Sequence, residues 1–336
     1  MNDLDLVTGG AGFIGSHLVD ALIGAGRRVR VLDNFVSGGP RNLKHQASNR
    51  ALELVQGDIR IAEHVNDAMR GVNRVFHLAA LADIVPSIQR PDEYFTTNVD
   101  GTFTVLQAAR AQRVRRFVYA ASSSCYGIPD RYPTAETAEL RPQYPYAMTK
   151  QLGEQLALHW GQVYGLPVLS LRFFNVYGPR SRTSGAYGAV FGVFLAQMLA
   201  GKPLTIVGDG KQTRDFTYVG DVAAAVMAAA DSQVRNEIMN VGTGRDVSVN
   251  RLVELLGAKQ VVHLPKRPGE PDCTLADTMK IRWLIGWSPK VPIELGVKIM
   301  LDHIEYWREA PVWTPEAIAG ATREWFERLG RHRPAA

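Results

Sequence analysis

Within its first fifteen residues the chain passes from an apolar stretch, Leu4 to Thr8, through Gly9-Gly10-Ala11-Gly12-Phe13-Ile14-Gly15, into a pattern that reads as a helix over Phe13 to Ala25. Glycine spacing alone says little in a chain with 31 glycines. Its place at a strand-to-helix turn gives it meaning, because there the backbone can approach a pyrophosphate while the helix amino terminus offers unpaired N–H groups and a favourable dipole. A second strand, Arg28 to Leu32, delivers Asp33 eighteen residues after Gly15, where a carboxylate would meet the 2′-hydroxyl of an adenosine ribose. A carboxylate at that point repels a 2′-phosphate, which favours NAD over NADP; Arg41 and Lys44 nearby weaken the preference.

Strand and helix patterns then alternate through Leu52 to Gln56, Ile61 to Arg70, Val75 to Ala79, Glu93 to Ala111, Arg116 to Ala121, Pro145 to Tyr164 and Val168 to Phe173. Such alternation predicts the α/β class, a Rossmann-type doubly wound parallel sheet with crossover helices. Ligands bind at the carboxyl ends of such strands, and polar or small residues gather there: Asp58 after the third, Ala79 and Ala80 after the fourth, Ser122 to Ser124 after the fifth, Asn175 after the sixth. The expected division is a dinucleotide-binding domain over residues 1–175, to which the chain returns around 213–243, and a smaller α/β substrate lobe over 176–336. That second part carries loops rich in Gly, Pro and Arg, including Gly208-Asp209-Gly210 and Arg267-Pro268-Gly269-Glu270.

Composition narrows the function class. At 336 residues, 46% hydrophobic and 21% charged, the chain can bury large cores. No apolar run reaches the length of a membrane span, and the first strand begins so near Met1 that no signal peptide is expected, which together predict a cytoplasmic protein. Cys125 and Cys273 lack CxxC spacing or a His-rich neighbourhood, so they read as free thiols and no metal site is expected. The net charge of +5 and pI near 9.2 come mostly from scattered residues. The one dense group, Arg110, Arg113, Arg115 and Arg116, falls at a helix end where cations suit the dipole, so a nucleic-acid track is not expected; an anionic small molecule accounts for a mild basic excess.

Tyr146 and Lys150 stand one helical turn apart, just over twenty residues after the serines. A phenol titrates near 10 and serves as a base at neutral pH only beside positive charge, which Lys150 and a nicotinium ring could supply. Pro145 marks a helix start immediately before them. A serine hydroxyl from the fifth strand would bond the same substrate oxygen.

With these residues in place, the chain resembles the extended short-chain dehydrogenase/reductases, most of all the nucleotide-sugar 4-epimerases of the UDP-glucose and UDP-N-acetylglucosamine type. The likeness runs from Leu4 to about Trp287 and rests on TGGAGFIG, LDN at Asp33, GDIR at Asp58, HLAA at Ala79, TNVDGT at Asn98, ASSSCYG, YPYAMTK, RFFNVYGP, GDGKQTRDFTYV and RPGEPD. The resemblance implies a tightly held NAD in contact with Gly9, Gly12, Phe13, Ile14, Gly15, Asp33, Asn34, Ala80 and Asn98. It further implies Asp58 and Ile59 at the adenine, Ala79 and Lys150 on the nicotinamide ribose side, and Phe173 near the ring. Asn175, Arg214, Arg267 and Glu270 would hold a nucleotide diphosphate, the arginines as clamps and the carboxylate as a ribose acceptor. Ser122 occupies the family's catalytic Ser/Thr position, and Ser123 is a further donor.

Dehydratases and decarboxylases of this family carry an acid in the serine stretch. Ser122 to Cys125 contain none, so C4 epimerisation of a UDP-sugar is expected: Tyr146 takes the C4 hydroxyl proton as hydride passes to NAD, the 4-keto sugar turns over, and hydride returns on the other face. Most binding energy would then reside in the nucleotide. In such epimerases the seventh residue after the RPG arginine lines the sugar pocket; here Thr274, small enough for an N-acetyl group, points to UDP-N-acetylglucosamine alongside UDP-glucose. UDP-glucuronate stays open because Arg180 or Arg182 could meet a carboxylate. The rival readings are a 4,6-dehydratase or decarboxylase, a reductase consuming NADPH, and a non-catalytic nucleotide sensor. The helices over Glu93 to Ala111 and Pro145 to Tyr164 suit a homodimer interface. Polysaccharide, lipopolysaccharide or galactose metabolism would use this chemistry, and the tail from Thr314 to Ala336 suggests no role.

Overall fold

The computed structural model describes residues 3–181 and 190–330. Six strands follow the predicted alternation: β1 (Leu4–Thr8), β2 (Arg28–Asp33), β3 (Leu52–Gln56), β4 (Arg74–His77), β5 (Arg116–Ser122) and β6 (Val168–Phe173). After them come β7 (Asn175–Tyr177), β8 (Leu204–Val207), β9 (Thr213–Arg214), β10 (Phe216–Tyr218), β11 (Glu237–Val241), β12 (Val247–Ser248) and β13 (Val261–Leu264). The central sheet has seven strands in the order β11-β6-β5-β4-β1-β2-β3, every neighbouring pair parallel. The α/β Rossmann-type class read from the sequence is the one observed. The strand order reverses between β1 and β4, which opens a crevice at their carboxyl ends.

Both sheet faces are covered, which is why β1 and β6 are buried along their whole length. One face takes α1 (Phe13–Gly24) and α8 (Val219–Asp231), packed on each other over Val7, Val31, Phe76, Val222 and Met239. The other takes α2 (Ala62–Met69), α5 (Gly101–Ala111) and α6 (Pro145–Tyr164), closing over Leu6, Val75, Phe117 and Val168. The remaining short pairs, β7 with β10, β8 with β13 and β9 with β12, belong with α7 (Val190–Leu199), α9 (Val249–Leu255) and α11 (Ile293–Asp302) to a second body of structure whose core includes Phe191, Phe194, Ile206, Leu252, Met300 and Trp307, while α10 (Met279–Ile285) packs on β11.

Two departures from the sequence reading bear on the site. The stretch expected as one helix over Glu93 to Ala111 is α4 (Pro91–Phe95), a π-helical turn over Thr96–Asp100, and α5. The widened turn lets the buried Asn98 side chain leave the helix and grip its surroundings, a common use of π turns. A further helix, α3 (Ile84–Gln89), was not expected; six residues with a proline in the first turn carry no readable periodicity.

The helix α6 begins with Pro145 in its first turn and ends at Gly165 in the left-handed region, φ 67°. Its buried stripe includes Ala147, Lys150, Glu154, Ala157 and Gly161, so two ionisable residues face the sheet. Glu154 meets Arg172 of β6, both side chains 2% exposed, with Nη2 to Oε1 at 2.5 Å. Ser170 donates to the same carboxylate, and Arg172 also donates to Tyr126 Oη at 2.9 Å, while Tyr126 donates to Asn240 Oδ1 at 2.7 Å. Helix α6, the serine loop, β6 and β11 are thus locked by one network. Exposed apolar side chains on α4 to α6 include Phe95, Phe103, Met148, Val163 and Tyr164. Among the described residues no helix is long and apolar enough to cross a membrane.

Removing one partner of a buried ion pair leaves the other charge uncompensated, at a cost of about 3–5 kcal/mol. Glu154→Ala should lower the unfolding free energy by about that amount, read from urea denaturation; a loss below about 1 kcal/mol would mean that Arg172 finds compensation elsewhere.

Candidate active site

The glycine turn lies at the crevice between β1 and β4. Gly9 has φ 71°, and a Cβ there would stand 2.7 Å from the Ala79 nitrogen; a Cβ on Gly15 would stand 2.2 Å from the Gly9 carbonyl oxygen. Any side chain at either position would push the helix start away from the strand ends and close the space for an anion. Asp33 ends β2, and its carboxylate accepts from the Ala11 N–H at 2.9 Å and the Phe35 N–H at 2.8 Å. Burial still holds its pKa above the ordinary carboxylate range. The carboxylate therefore sits against the glycine turn with acceptor capacity to spare, as a ribose contact requires. These residues fit an adenine dinucleotide.

Other residues expected around a dinucleotide are brought together in part. Asn34 donates to Asp58 Oδ2 at 3.2 Å, but the Asp58 carboxylate is mainly held by Arg60, whose hydrogen bonds pull its pKa down to about 2. Ile59 is buried beneath α5, against Gly101. Ala79 lies under Gly9 with Ala80 beside it; Phe13 stands edge-on to His17, and Ile14 packs on the core beneath α1. Asn98 exchanges two hydrogen bonds with the backbone of Leu81 and donates to Thr149 Oγ1 at 3.0 Å, so its amide ties the loop after β4 to α6. Phe173 pairs in register with Ser122 across β5 and β6.

Ser122 at the end of β5 and Tyr146 come together. Ser122 acts on the Tyr146 phenol to lower its pKa, and its Oγ lies 2.8 Å from Ser124 Oγ. Ser124 acts likewise on Tyr144, whose ring runs parallel to that of Tyr146 with centroids 6.4 Å apart. Ser123 follows in the same short 3-10 turn. Cys125 donates to the Ser122 carbonyl, and burial pushes its thiol up to about 12, which leaves it an inert hydrophobe.

The electrostatics depart from the sequence reading. Lys150 was expected to lower the Tyr146 pKa; instead burial raises the phenol, and the lowering influence among the chain's own groups is Ser122. Lys150 points its ammonium at the Tyr119 ring, 4.3 Å from the centroid, and burial brings its pKa down to about 7. The i,i+4 spacing put the two residues on one face but could not reveal that both lose solvent.

At the other end of the site, Glu270 holds two nearly buried guanidiniums: Arg214 Nη2 at 2.8 Å from Oε1, and Arg267 Nη1 at 3.6 Å from Oε2. Thr274 donates to Asn175 Oδ1 at 2.7 Å and accepts from the Asp215 N–H, joining residues 99 positions apart. Asp215 also accepts from Thr243, Gly244 and Ala276, which knits the loops beneath the clamp. Arg180 donates to Asp20 of α1 at 2.7 Å, and Arg182 lies outside the described residues. Arg41 donates to Tyr306 and lies over its ring.

Sequence reading missed several contributors. Thr8, His77 and Thr102 form a buried chain of hydrogen bonds from the glycine turn to the Asn98 carbonyl; burial takes His77 down to about 3, so it is a neutral linker. Tyr144 was visible in YPYAMTK but carries no motif of its own, and Trp325, which packs on it, lies in a tail without any motif.

A profile of the NAD dependent epimerase/dehydratase family matches residues 6–242. Over 309 residues the chain is 37% identical to a putative UDP-glucose 4-epimerase of Methanocaldococcus jannaschii, a match covering 89% of this chain and 98% of that protein. It is 33% identical to a UDP-N-acetyl-alpha-D-glucosaminuronate decarboxylase of Bacillus cytotoxicus, covering 90% of this chain and 97% of the other. Among solved structures, the UDP-N-acetylglucosamine 4-epimerase of Methanobrevibacter ruminantium in complex with UDP-N-acetylmuramic acid superposes with a TM-score of 0.83 at 33% identity, covering 90% of this chain and 99% of that one.

Because the Lys150 pKa falls from 10.5 to about 7 on folding, the unfolded state binds the extra proton between those values. The penalty on stability is therefore complete below about pH 7 and is relieved as pH rises toward 10.5. Lys150→Met should be more stable than the wild type at pH 6, with the gap narrowing by pH 9, in denaturant titrations of both proteins; a pH-independent gap would contradict the assigned burial.

Proposed function

Since the chain belongs to the NAD-dependent epimerase/dehydratase family, an enzyme family acting on nucleotide sugars, we propose that it interconverts the C4 epimers of a UDP-sugar, UDP-N-acetylglucosamine or UDP-glucose, through a 4-keto intermediate. NAD, when bound in the glycine cradle and at Asp33, supplies a reversible hydride acceptor. The chain's own residues do the rest. Tyr146 accepts the C4 hydroxyl proton and later returns it, with Ser122 donating to the same sugar oxygen so that charge developing there stays bonded. Lys150, when protonated, supplies positive charge beside the phenol's helix face. Arg214 and Arg267 carry the diphosphate, and in its absence of charge competition Glu270 keeps both guanidiniums aligned.

The observation that carries the reading is the Ser124 hydroxyl. It lies in the stretch where dehydratases and decarboxylases that resemble this chain carry an acid, and it is hydrogen-bonded to Ser122. A neutral relay at that point leaves proton transfer at C4 to Tyr146 and offers no second acid for loss of water or carbon dioxide. Thr274 beside Asn175 favours room for an N-acetyl group.

Proton NMR of the anomeric region, with UDP-N-acetylglucosamine, UDP-glucose and UDP-glucuronate in turn and no added cofactor, should show the matching C4 epimer for one or both of the first two. A 4-keto-6-deoxy or pentose product would replace the proposal with a lyase. In the same assay Thr274→Tyr should lower kcat/KM for UDP-N-acetylglucosamine by about tenfold or more while UDP-glucose changes by less than about threefold, since a filled pocket rejects added bulk. Equal losses on both would remove Thr274 from the sugar pocket.

A further inference from the structure

The last described helices, α12 (Pro315–Ala321) and α13 (Arg323–Leu329), follow a stretch in which no motif is legible, yet α13 packs on α3 and on the RPG loop. Trp325 is its contact residue, 2% exposed. Its indole Nε1 donates to the Pro268 carbonyl at 2.7 Å, and the Arg267 guanidinium lies over its ring, 5.4 Å from the centroid. On the other side the ring meets Tyr144, centroids 6.1 Å apart at 49°. Tyr144 is parallel to Tyr146, with ring centroids 6.4 Å apart. One side chain from the tail thus touches both the loop that carries Arg267 and the aromatic layer that carries the catalytic tyrosine.

A merely space-filling role would need neither a polarised N–H nor an aromatic face. Here the N–H satisfies a carbonyl of an irregular loop that turns at Gly269 with φ 72°, and the face receives a cation. We propose that Trp325 is a positioning residue of the nucleotide-sugar site, which holds the Arg267–Glu270 loop in its anion-clamping shape and braces Tyr144 behind Tyr146. The identity of the ligand rests on the proposed function; the role of the indole is separate. Fixing the loop before binding removes an ordering cost from association, and the cation over the ring is held where the diphosphate needs it.

Calorimetric titration of UDP into the full-length, NAD-loaded chain tests this with two substitutions. Trp325→Phe keeps a ring against Tyr144 and Arg267 but loses the bond to the Pro268 carbonyl, so UDP affinity should fall by only about threefold. Trp325→Leu keeps apolar volume without a π face, so affinity should fall by about tenfold, with bound NAD unchanged by absorbance. Wild-type affinity in the Leu protein, or equal losses in both variants, would overturn the proposal, as would a wild-type chain that binds no UDP. A chain that binds UDP but epimerises no sugar would sink the epimerase reading and leave the comparison of variants intact.

Discussion

The buried pair of Arg172 and Glu154 is the contact on which the site's geometry depends. An ion pair in the core is poor value for stability alone, because desolvation of both charges offsets their attraction. What it supplies here is register. Glu154 is one turn beyond Lys150 on α6, and Arg172 is one residue before Phe173 on β6, so their pairing sets how far α6 slides along the sheet. The remaining donors of Arg172 reach Tyr126 and the Glu136 carbonyl, which carries the same constraint to the end of the serine loop. Ser122 and Tyr146 meet because each belongs to an element tied to this one guanidinium.

Desolvation, the cost of that construction, is also what shapes the chemistry. Tyr146, Lys150, Asp33 and His77 are all moved toward their neutral forms by burial. In such surroundings hydrogen bonds rather than isolated charges do the orienting: backbone N–H groups for Asp33, two threonines for His77. The charged end of the site is arranged differently. Arg214 and Arg267 both reach the Glu270 carboxylate, which sits between them, a layout suited to an anionic group at one end and a proton-transferring hydroxyl at the other.

Much of the fold was legible because its elements obey local rules. The strands Leu4–Thr8, Leu52–Gln56 and Val168–Phe173 and the helix Pro145–Tyr164 have the bounds that apolar runs, glycines and a first-turn proline predict. The helix around Asn98 was misread as continuous, since a π turn leaves the hydrophobic period almost intact while redirecting one side chain. Residues marked by motif, such as Gly9, Asp33, Ser122 and Tyr146, lie at the strand ends and the helix start on which their sequence spacing puts them. Residues that act through other residues, such as Thr8, His77, Tyr144 and Trp325, were not, because nothing in their local sequence distinguishes a linker from ordinary core.

The amino-acid order by itself determined the parallel sheet, the glycine turn and the presence of a Ser–Tyr–Lys set, all of which follow from periodicity and spacing over a few residues. Tertiary structure alone decided which charges survive. Lys150 and Tyr146 are partners on a helical wheel, yet their ionisation is governed by the sheet and loops packed over them. Likewise Arg267 is held against Trp325 by a tail 58 residues further along the chain. Dielectric surroundings and long-range contacts are properties of the packed molecule, and no short window of sequence encodes them.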